Sequence, residues 1–191
     1  MSDSGRTAIL GAARRAFSLR PYAAVTLRGI AAEAGVSAAL IVKHFGGKER
    51  LFEAVADFGP DVDLLLSVPR ERLGRHLVET AVLTRRAGAP PPLLRVIFGI
   101  AAGDERVLLT ERFREQATAR LAALLEGPDA RLRAELVVAQ FLGLSTVLSI
   151  HRDGEAATGD VERVVALYAP GIQALVNGAV GTGGADGAGG G

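Results

Sequence analysis

The residues best placed to do chemistry in this 191-residue chain are basic. Arg28, Lys43, His44 and Lys48 fall within 21 residues, and they include both lysines of the chain. Residues 1–52 carry eight Lys or Arg against three Asp or Glu, while residues 53–191 carry 14 against 18. The overall charge of +1 hides that division. A basic module of this kind suits a polyanion, although chance scatter produces a modest excess too. Other chemistries lack their parts. With no Cys, the chain has no disulfide framework, no thiolate metal site and no cysteine nucleophile. His44, His76 and His151 fall in separate predicted helices, without metal-ligand spacing. Glu111 and Glu115 share a helix face with Arg112 and Arg120 close by, which is the pattern of a solvated charged face. The Gly-rich stretch is terminal and opens no helix, so no phosphate-cradling loop is present. The chain is expected to be neither an enzyme nor a user of metal or cofactor.

The basic residues lie on two short predicted helices around a tight turn, Thr26-Leu-Arg-Gly-Ile-Ala-Ala-Glu-Ala-Gly-Val-Ser-Ala-Ala-Leu-Ile-Val-Lys-His-Phe45. Thr26 and Ser37 are N-cap residue types. Gly35 can take the positive φ of a turn. Ala31 is small where a second helix must cross closely, and Leu27, Ile30, Val36 and Ile41 offer the pair an apolar inner face. That spacing is the signature of a helix-turn-helix, whose second helix enters the major groove of DNA. An ordinary helical hairpin is the rival reading of the same pattern.

The remainder also reads helical, which makes the chain all-α with about nine helices. Period-3.6 apolar rows and Gly or Pro breaks predict helices over 6–19, 27–34, 38–43, 48–58, 69–86, 93–102, 104–126, 129–152 and 161–177. Residues 61–68 fit no clear element. Gly88-Ala-Pro-Pro-Pro92 reads as a stiff linker, and Arg85-Arg86 reads as a cap on its own helix dipole. Eight of the last 14 residues are Gly, which predicts a flexible tail over 178–191. The expected division is a DNA-binding domain at 1–58, a regulatory and dimerisation domain at 59–177, and that tail. No signal-peptide h-region opens the chain, and the longest apolar run, 136–150, is interrupted by Gln140, Gly143, Ser145, Thr146 and Ser149. A cytoplasmic protein that does not enter a membrane is expected.

Residues 6–58 resemble the DNA-binding domain of the tetracycline-repressor-like (TetR) regulators. The match runs through Ala16-Phe17, Tyr22, Val25-Thr26, Ile30-Ala31-Ala32-Glu33-Ala34-Gly35-Val36-Ser37 and His44-Phe45-Gly46-Gly47-Lys48-Glu49-Arg50-Leu51-Phe52. Past residue 58 the likeness is one of architecture. The resemblance implies an Ω-shaped homodimer of nine or ten helices per subunit that binds a double-stranded DNA operator and a small-molecule effector. It implies phosphate or groove-edge contacts for Thr26 and Arg28, and a reading helix that begins at Ser37, Ala38 and Ala39. It further implies that Leu40, Val42, Lys43 and His44 face DNA and that Lys48 anchors phosphate. Many relatives carry Tyr where this chain has Val42, and Thr or Lys where it has Ala38 and Leu40. Val42 either meets thymine methyls or packs on the sugar backbone. His44 either donates to phosphate or packs at the helix end.

In the regulatory half, Leu136, Ala139, Gly143, Val147 and Ile150 form one apolar stripe of the helix over 129–152, while Val137, Val138, Phe141, Leu144 and Leu148 form another. A helix apolar on two sides needs two partners. One is its own domain, and the other is either a second subunit or more of the same core. The expected dimer interface combines that first stripe with Val165, Tyr168 and Ile172. The expected effector pocket draws on His76, Thr80, Arg95, Phe98, Phe113, Gln116, Gln140 and Leu144, with His76 equally readable as a surface or core histidine. Few aromatics lie in this half, so the pocket is expected to be aliphatic and its ligand lipophilic. The leading expectation is a repressor released from a palindromic operator by that ligand. An activator, or a helical ligand-binding or scaffold protein that does not read DNA, is the alternative.

Overall fold

The computed structural model describes residues 3–20, 22–88, 93 and 104–178. Among them every regular element is helical. Helix α1 (Asp3–Leu19) buries Ile9, Ala12, Ala13, Ala16 and Phe17 on one face. A 3-10 turn at Tyr22–Ala24 leads into α2 (Leu27–Ala34), α3 (Ala38–Phe45) and α4 (Lys48–Val55). The boundaries of α2 and α3 follow from local chemistry. Thr26 Oγ1 accepts the Gly29 amide at 3.1 Å, and Ser37 Oγ accepts the Leu40 amide at 3.2 Å. Gly35 and Gly46 close the two helices at φ of 67° and 82°, a conformation that L side chains resist. Ile30, Ala31, Ile41 and Phe45 then bury the inner face, while Phe17, Tyr22 and Phe52 pack as an aromatic trio with centroids 5.0–5.7 Å apart.

The body differs from the sequence expectation in three places. The stretch that fitted no element is helix α5 (Gly59–Leu65), and the expected extension of α4 to Phe58 stops at Val55. Asp57 Oδ1 accepts the Gly59 amide at 3.0 Å and starts α5. Helix α6 (Leu73–Arg86) is preceded by a 3-10 turn at Arg70–Arg72, so its start lies past Pro69. The helix expected over 104–126 is three pieces: α7 (Asp104–Phe113), a π-helical stretch Arg114–Ala119, and α8 (Arg120–Leu124). Then follow α9 (Ala130–Ile150), a short α10 (Glu155–Thr158) and α11 (Val161–Asn177). Pro170 lies inside α11, with Pro170 and Ala166 both exposed, so the carbonyl that loses its partner stays in water. The expected linker at 88–92, the helix over 93–102 and the tail fall almost wholly outside the described residues.

Helices α6, α9 and α11 form the heart of the body. α6 crosses α11 at Gly74, where a Cβ would lie 2.8 Å from the Ala169 carbonyl and 2.9 Å from the Gln173 amide. The Gly74 amide donates to Gln173 Oε1 at 2.8 Å, and Gln173 Nε2 donates to the Arg70 carbonyl at 3.0 Å. Arg133 of α9 is 5% exposed. It donates to the carbonyls of Pro128 (3.0 Å), Leu175 (3.0 Å), Val176 (3.2 Å) and Glu126. It thereby ties the turn before α9 to the last turn of α11. Arg85 and Arg86 lie in the last turn of α6, where their charge suits the helix dipole, and their side chains also reach other elements. Arg85 donates to Leu148 of α9, and Arg86 to Ala157 and Gly159 around the end of α10.

Candidate nucleic-acid interface

With Ile41 and Phe45 turned inward, the outer side of α3 presents Ala39, Val42, Lys43 and His44 to solvent, and Ala38 and Leu40 are half-buried. Thr26 and Arg28 are exposed at the start of α2, and Ser37 at the start of α3. The residues of α2 and α3 expected to face DNA are therefore exposed or half-buried, and none of them is in the core. That side is mostly apolar around Lys43 and His44, and Val42 is 47% exposed. Lys48 is half-buried: its Nζ lies 2.5 Å from the Tyr22 carbonyl and 4.0 Å from the Tyr22 ring centre. Its partner is thus inside the domain, where it pins the loop before α2. Two contacts escaped the sequence reading. Arg6 lies over the Phe45 ring at 5.1 Å, and Arg15 pairs with Glu33 at 2.5 Å across α1 and α2. Both join residues far apart in sequence, so no local pattern announces them.

Two hollows of the body are bordered by described residues. One is an open groove of about 520 Å³ bordered by Glu111, Arg114, Glu115, Thr118, Arg131 and Glu135. Ala119 and Ala122 complete its lining, and it lies open at the surface. The other is an apolar cavity of about 30 Å³ among Val62 and Leu65 of α5, Leu77 of α6, Ala117 and Leu121 of the π–α8 stretch, and Phe141 of α9. None of the described residues expected to form an effector pocket lines that cavity. His76 Nε2 instead sits 2.9 Å from the Leu64 carbonyl and fastens the end of α5 to α6. Phe113 is buried edge-on against Phe58, at 5.4 Å between centroids, and Gln116 Oε1 accepts the Phe58 amide at 2.7 Å. Thr80 and Gln140 are half-buried and Leu144 is buried. Arg95 and Phe98 lie outside the described residues. Three of the expected residues stand one position from the cavity lining: His76 adjoins Leu77, Gln116 adjoins Ala117, and Gln140 adjoins Phe141. One residue is about 100° around a helix.

The dimer expectation divides in the same way. Leu136, Ala139, Gly143, Val147 and Ile150 form an exposed stripe along α9, with nothing within 4 Å of a Cβ built at Gly143. Val165 and Ile172 are corrected: at 5% and 0% exposure they face the interior of their own chain. Tyr168 is half-buried and donates to the Gln140 carbonyl at 3.1 Å, and burial pushes its phenol pKa up. The outward row of α11 is Leu167, Pro170 and Gly171, with Leu167 78% exposed. By length and composition alone α9 is long and apolar enough to cross a bilayer, although seven of its residues are buried against the rest of the chain.

Residues 9–55 match the model of bacterial regulatory proteins of the tetR family, and residues 71–176 match that of the tetracyclin repressor-like C-terminal domain. A nucleoid occlusion factor, SlmA of Shewanella amazonensis, is 29% identical over 121 residues, which are 61% of this chain and 59% of the relative. The chain thus spans under two-thirds of that curated relative's length. Among solved structures, a TetR-family regulator of Streptomyces coelicolor superposes with a TM-score of 0.56 at 27% identity, covering 92% of this chain and 96% of that one. The regulator FadR of Bacillus subtilis, solved in complex with stearoyl-CoA, gives 0.63 at 16%, covering 91% and 98%. With family models covering the helix-turn-helix and most of the body, and with α2 and α3 capped and crossed as that motif requires, the chain belongs to the TetR family of DNA-binding transcriptional regulators.

Proposed function

We propose that the protein is a homodimeric repressor in the cytoplasm, which binds a palindromic operator through α3 and is released when a small molecule occupies its helical body. Family membership makes it a regulator rather than an enzyme. The observation that carries the finer reading is the capped α2–α3 pair with the outer side of α3 left accessible. The basic excess of residues 1–52 lies on the same module, and the acidic excess of the remainder discourages the body from settling on DNA. The exposed α9 stripe supplies a surface for a second subunit, and two-fold symmetry then implies inverted half-sites. FadR, of the same fold, was solved with an acyl-CoA, which supports a ligand for the body here. The SlmA relatives are named for nucleoid occlusion, so the family fold alone does not make a repressor. Release follows if the ligand favours a dimer geometry whose two α3 helices no longer match the half-site spacing.

A mobility-shift titration on the DNA upstream of the protein's own gene, repeated across salt concentrations, tests this. Sequence-preferring binding with a steep salt slope is expected. Lys43→Ala should reduce that slope by about one unit and weaken binding on all sequences alike, as loss of a phosphate contact does. Binding without sequence preference or salt slope would defeat the regulator reading. The apolar side of α3 adds a second expectation. Replacing thymine by uracil across the half-sites should cost about 1 kcal/mol or more if Val42, Ala39 and Leu40 meet thymine methyls. Unchanged affinity would place Val42 on the sugar backbone.

A further inference from the structure

Residues 1–58 contain neither Asn nor Gln, and the first amide side chain in the sequence is Gln116. The carboxylates of that segment are Asp3, Glu33, Glu49, Glu53 and Asp57, and none of them stands on α3. Glu33, on the preceding helix, is held by Arg15. The nearby hydroxyls are engaged as helix caps, Ser37 Oγ by the Leu40 amide and Thr26 Oγ1 by the Gly29 amide. Each base edge in the major groove asks for a particular partner. Adenine N6 and cytosine N4 donate, and the side chains that ordinarily accept from them are Asn, Gln, Asp and Glu. Helix α3 carries none of those four types. Its exposed side offers donors from Lys43 and His44, one acceptor nitrogen when the His44 ring is neutral, and hydrocarbon.

The hydrocarbon forms one ridge. Ala39 and Val42 stand three residues apart and are both exposed, so they are neighbours on the helix surface. Val42 is branched at Cβ and strongly prefers one rotamer in a helix, so its two methyl groups hold a fixed place with little freedom to lose on contact. The group on DNA that fits such a ridge is the C5-methyl of a pyrimidine, the apolar feature among the base edges of the major groove. Thymine carries it in unmodified DNA. Cytosine methylated at C5 carries it at the same place on the ring. The N4 amino group of cytosine meets the same lack of acceptors with or without the methyl, so its cost cancels and the methyl contact decides the difference.

We propose that Val42, with Ala39 beside it, reads the C5-methyl of a pyrimidine whichever base bears it, so that 5-methylcytosine in a half-site strengthens operator binding and makes the regulator responsive to cytosine methylation. This rests on the operator-binding regulator proposed above. It reaches beyond a thymine contact, because the same base sequence is then bound differently before and after methylation.

The test measures the full chain on the operator that the mobility-shift titration identifies. Each half-site pyrimidine is set in turn to cytosine, 5-methylcytosine, uracil and thymine, with its matching purine, in both half-sites at once. Burial of one methyl group is worth about three- to fourfold in affinity. With two half-sites, the 5-methylcytosine duplex should bind about tenfold tighter than the cytosine duplex at one position or more. Thymine should exceed uracil by a similar factor at the same position. Val42→Ala keeps a strong helix former at an exposed site, so the fold is retained. In that variant the tenfold factor should fall to about threefold or less, with the salt slope unchanged. Lys43→Ala should bind every duplex more weakly and keep the factor. Methylation also changes the shape and stiffness of DNA, an effect that does not pass through Val42. A factor retained in full by Val42→Ala would therefore overturn the proposal. So would equal affinity for cytosine and 5-methylcytosine at every position, or a thymine preference over uracil with no matching preference for 5-methylcytosine. Absence of sequence-preferring DNA binding in the unmodified protein would overturn the regulator reading instead.

Discussion

Replacing Val147 by arginine is expected to leave the protein monomeric and to weaken operator binding by about a hundredfold or more. Val147 is exposed near the end of the α9 stripe, four residues past Gly143, where open space lets another helix approach closely. Leu132, Leu136 and Ile150 continue the stripe, at 54%, 43% and 67% exposure. A continuous apolar row of this size is uncommon on a monomer and marks an interaction surface. In a two-fold interface every substitution is made twice, so Val147→Arg would bury two guanidinium groups without carboxylate partners. Loss of the dimer turns the second half-site contact from an intramolecular event at about millimolar effective concentration into an independent one. Sedimentation velocity and a mobility shift on the palindromic operator, run on the same preparation, measure both effects. Leu83→Arg, at an exposed position of α6, serves as the control and should change neither. Retention of the dimer by Val147→Arg would remove α9 from the interface.

Arg133→Ala is expected to cost about 3 kcal/mol of folding stability. The side chain is almost wholly buried, and its donors serve four carbonyls: two in the turn before α9 and two at the end of α11. The end of α11 is a natural place for a cation, because a helix C-terminus carries negative partial charge. Removing the guanidinium takes a donor from each of those carbonyls, with Leu175 keeping the Gly178 amide at 3.4 Å, at about 1–3 kcal/mol for each one left bare that water does not reach. A total near 3 kcal/mol is a large share of the roughly 5–15 kcal/mol that holds a typical domain. Urea denaturation should show a lower midpoint at an unchanged slope. Arg133→Lys should recover only part of the loss, since a single ammonium cannot span a fork of carbonyls on two segments. A midpoint equal to that of the parent protein for Arg133→Met would show that the buried charge contributes nothing net.

What the amino-acid sequence made readable follows the range of the forces involved. Thr26, Gly35, Ser37 and Gly46 act on neighbours within a few residues, so α2, α3 and the turn between them could be placed without a structure. The α9 stripe was readable too, because Leu136, Ala139, Gly143, Val147 and Ile150 repeat at helical spacing. Helix α5 was not, since its anchors Gln116 and Arg120 lie more than 50 residues away. The π-helical stretch was not either: Arg-Glu-Gln-Ala-Thr-Ala is as compatible with an α-helix. On α11 the apolar Leu167 stands exposed among Arg163, Ala166 and Pro170, so apolar type alone does not mark the inward face, and Val165 and Ile172, assigned outward, prove to be core. The pocket erred for a related reason. Polar residues were sought as ligand-orienting groups, and the cavity is lined by their apolar neighbours.

The shortness of α3 has a consequence for how an address can be written in DNA. Eight residues make about 12 Å of helix, which spans three or four base pairs at ~3.4 Å per step. Two such helices specify about seven base pairs, a string that recurs by chance once in ~16,000 positions. A genome presents at least about a million competing sites. A shortfall of about sixtyfold remains, and the seven base pairs count as one string only while the distance and inverted orientation between the two halves are fixed. In the dimer proposed above that distance would be measured by the α9 stripe, which would make the dimer a ruler as well as a clamp. A ligand that alters the ruler would erase part of the address while leaving each reading head intact.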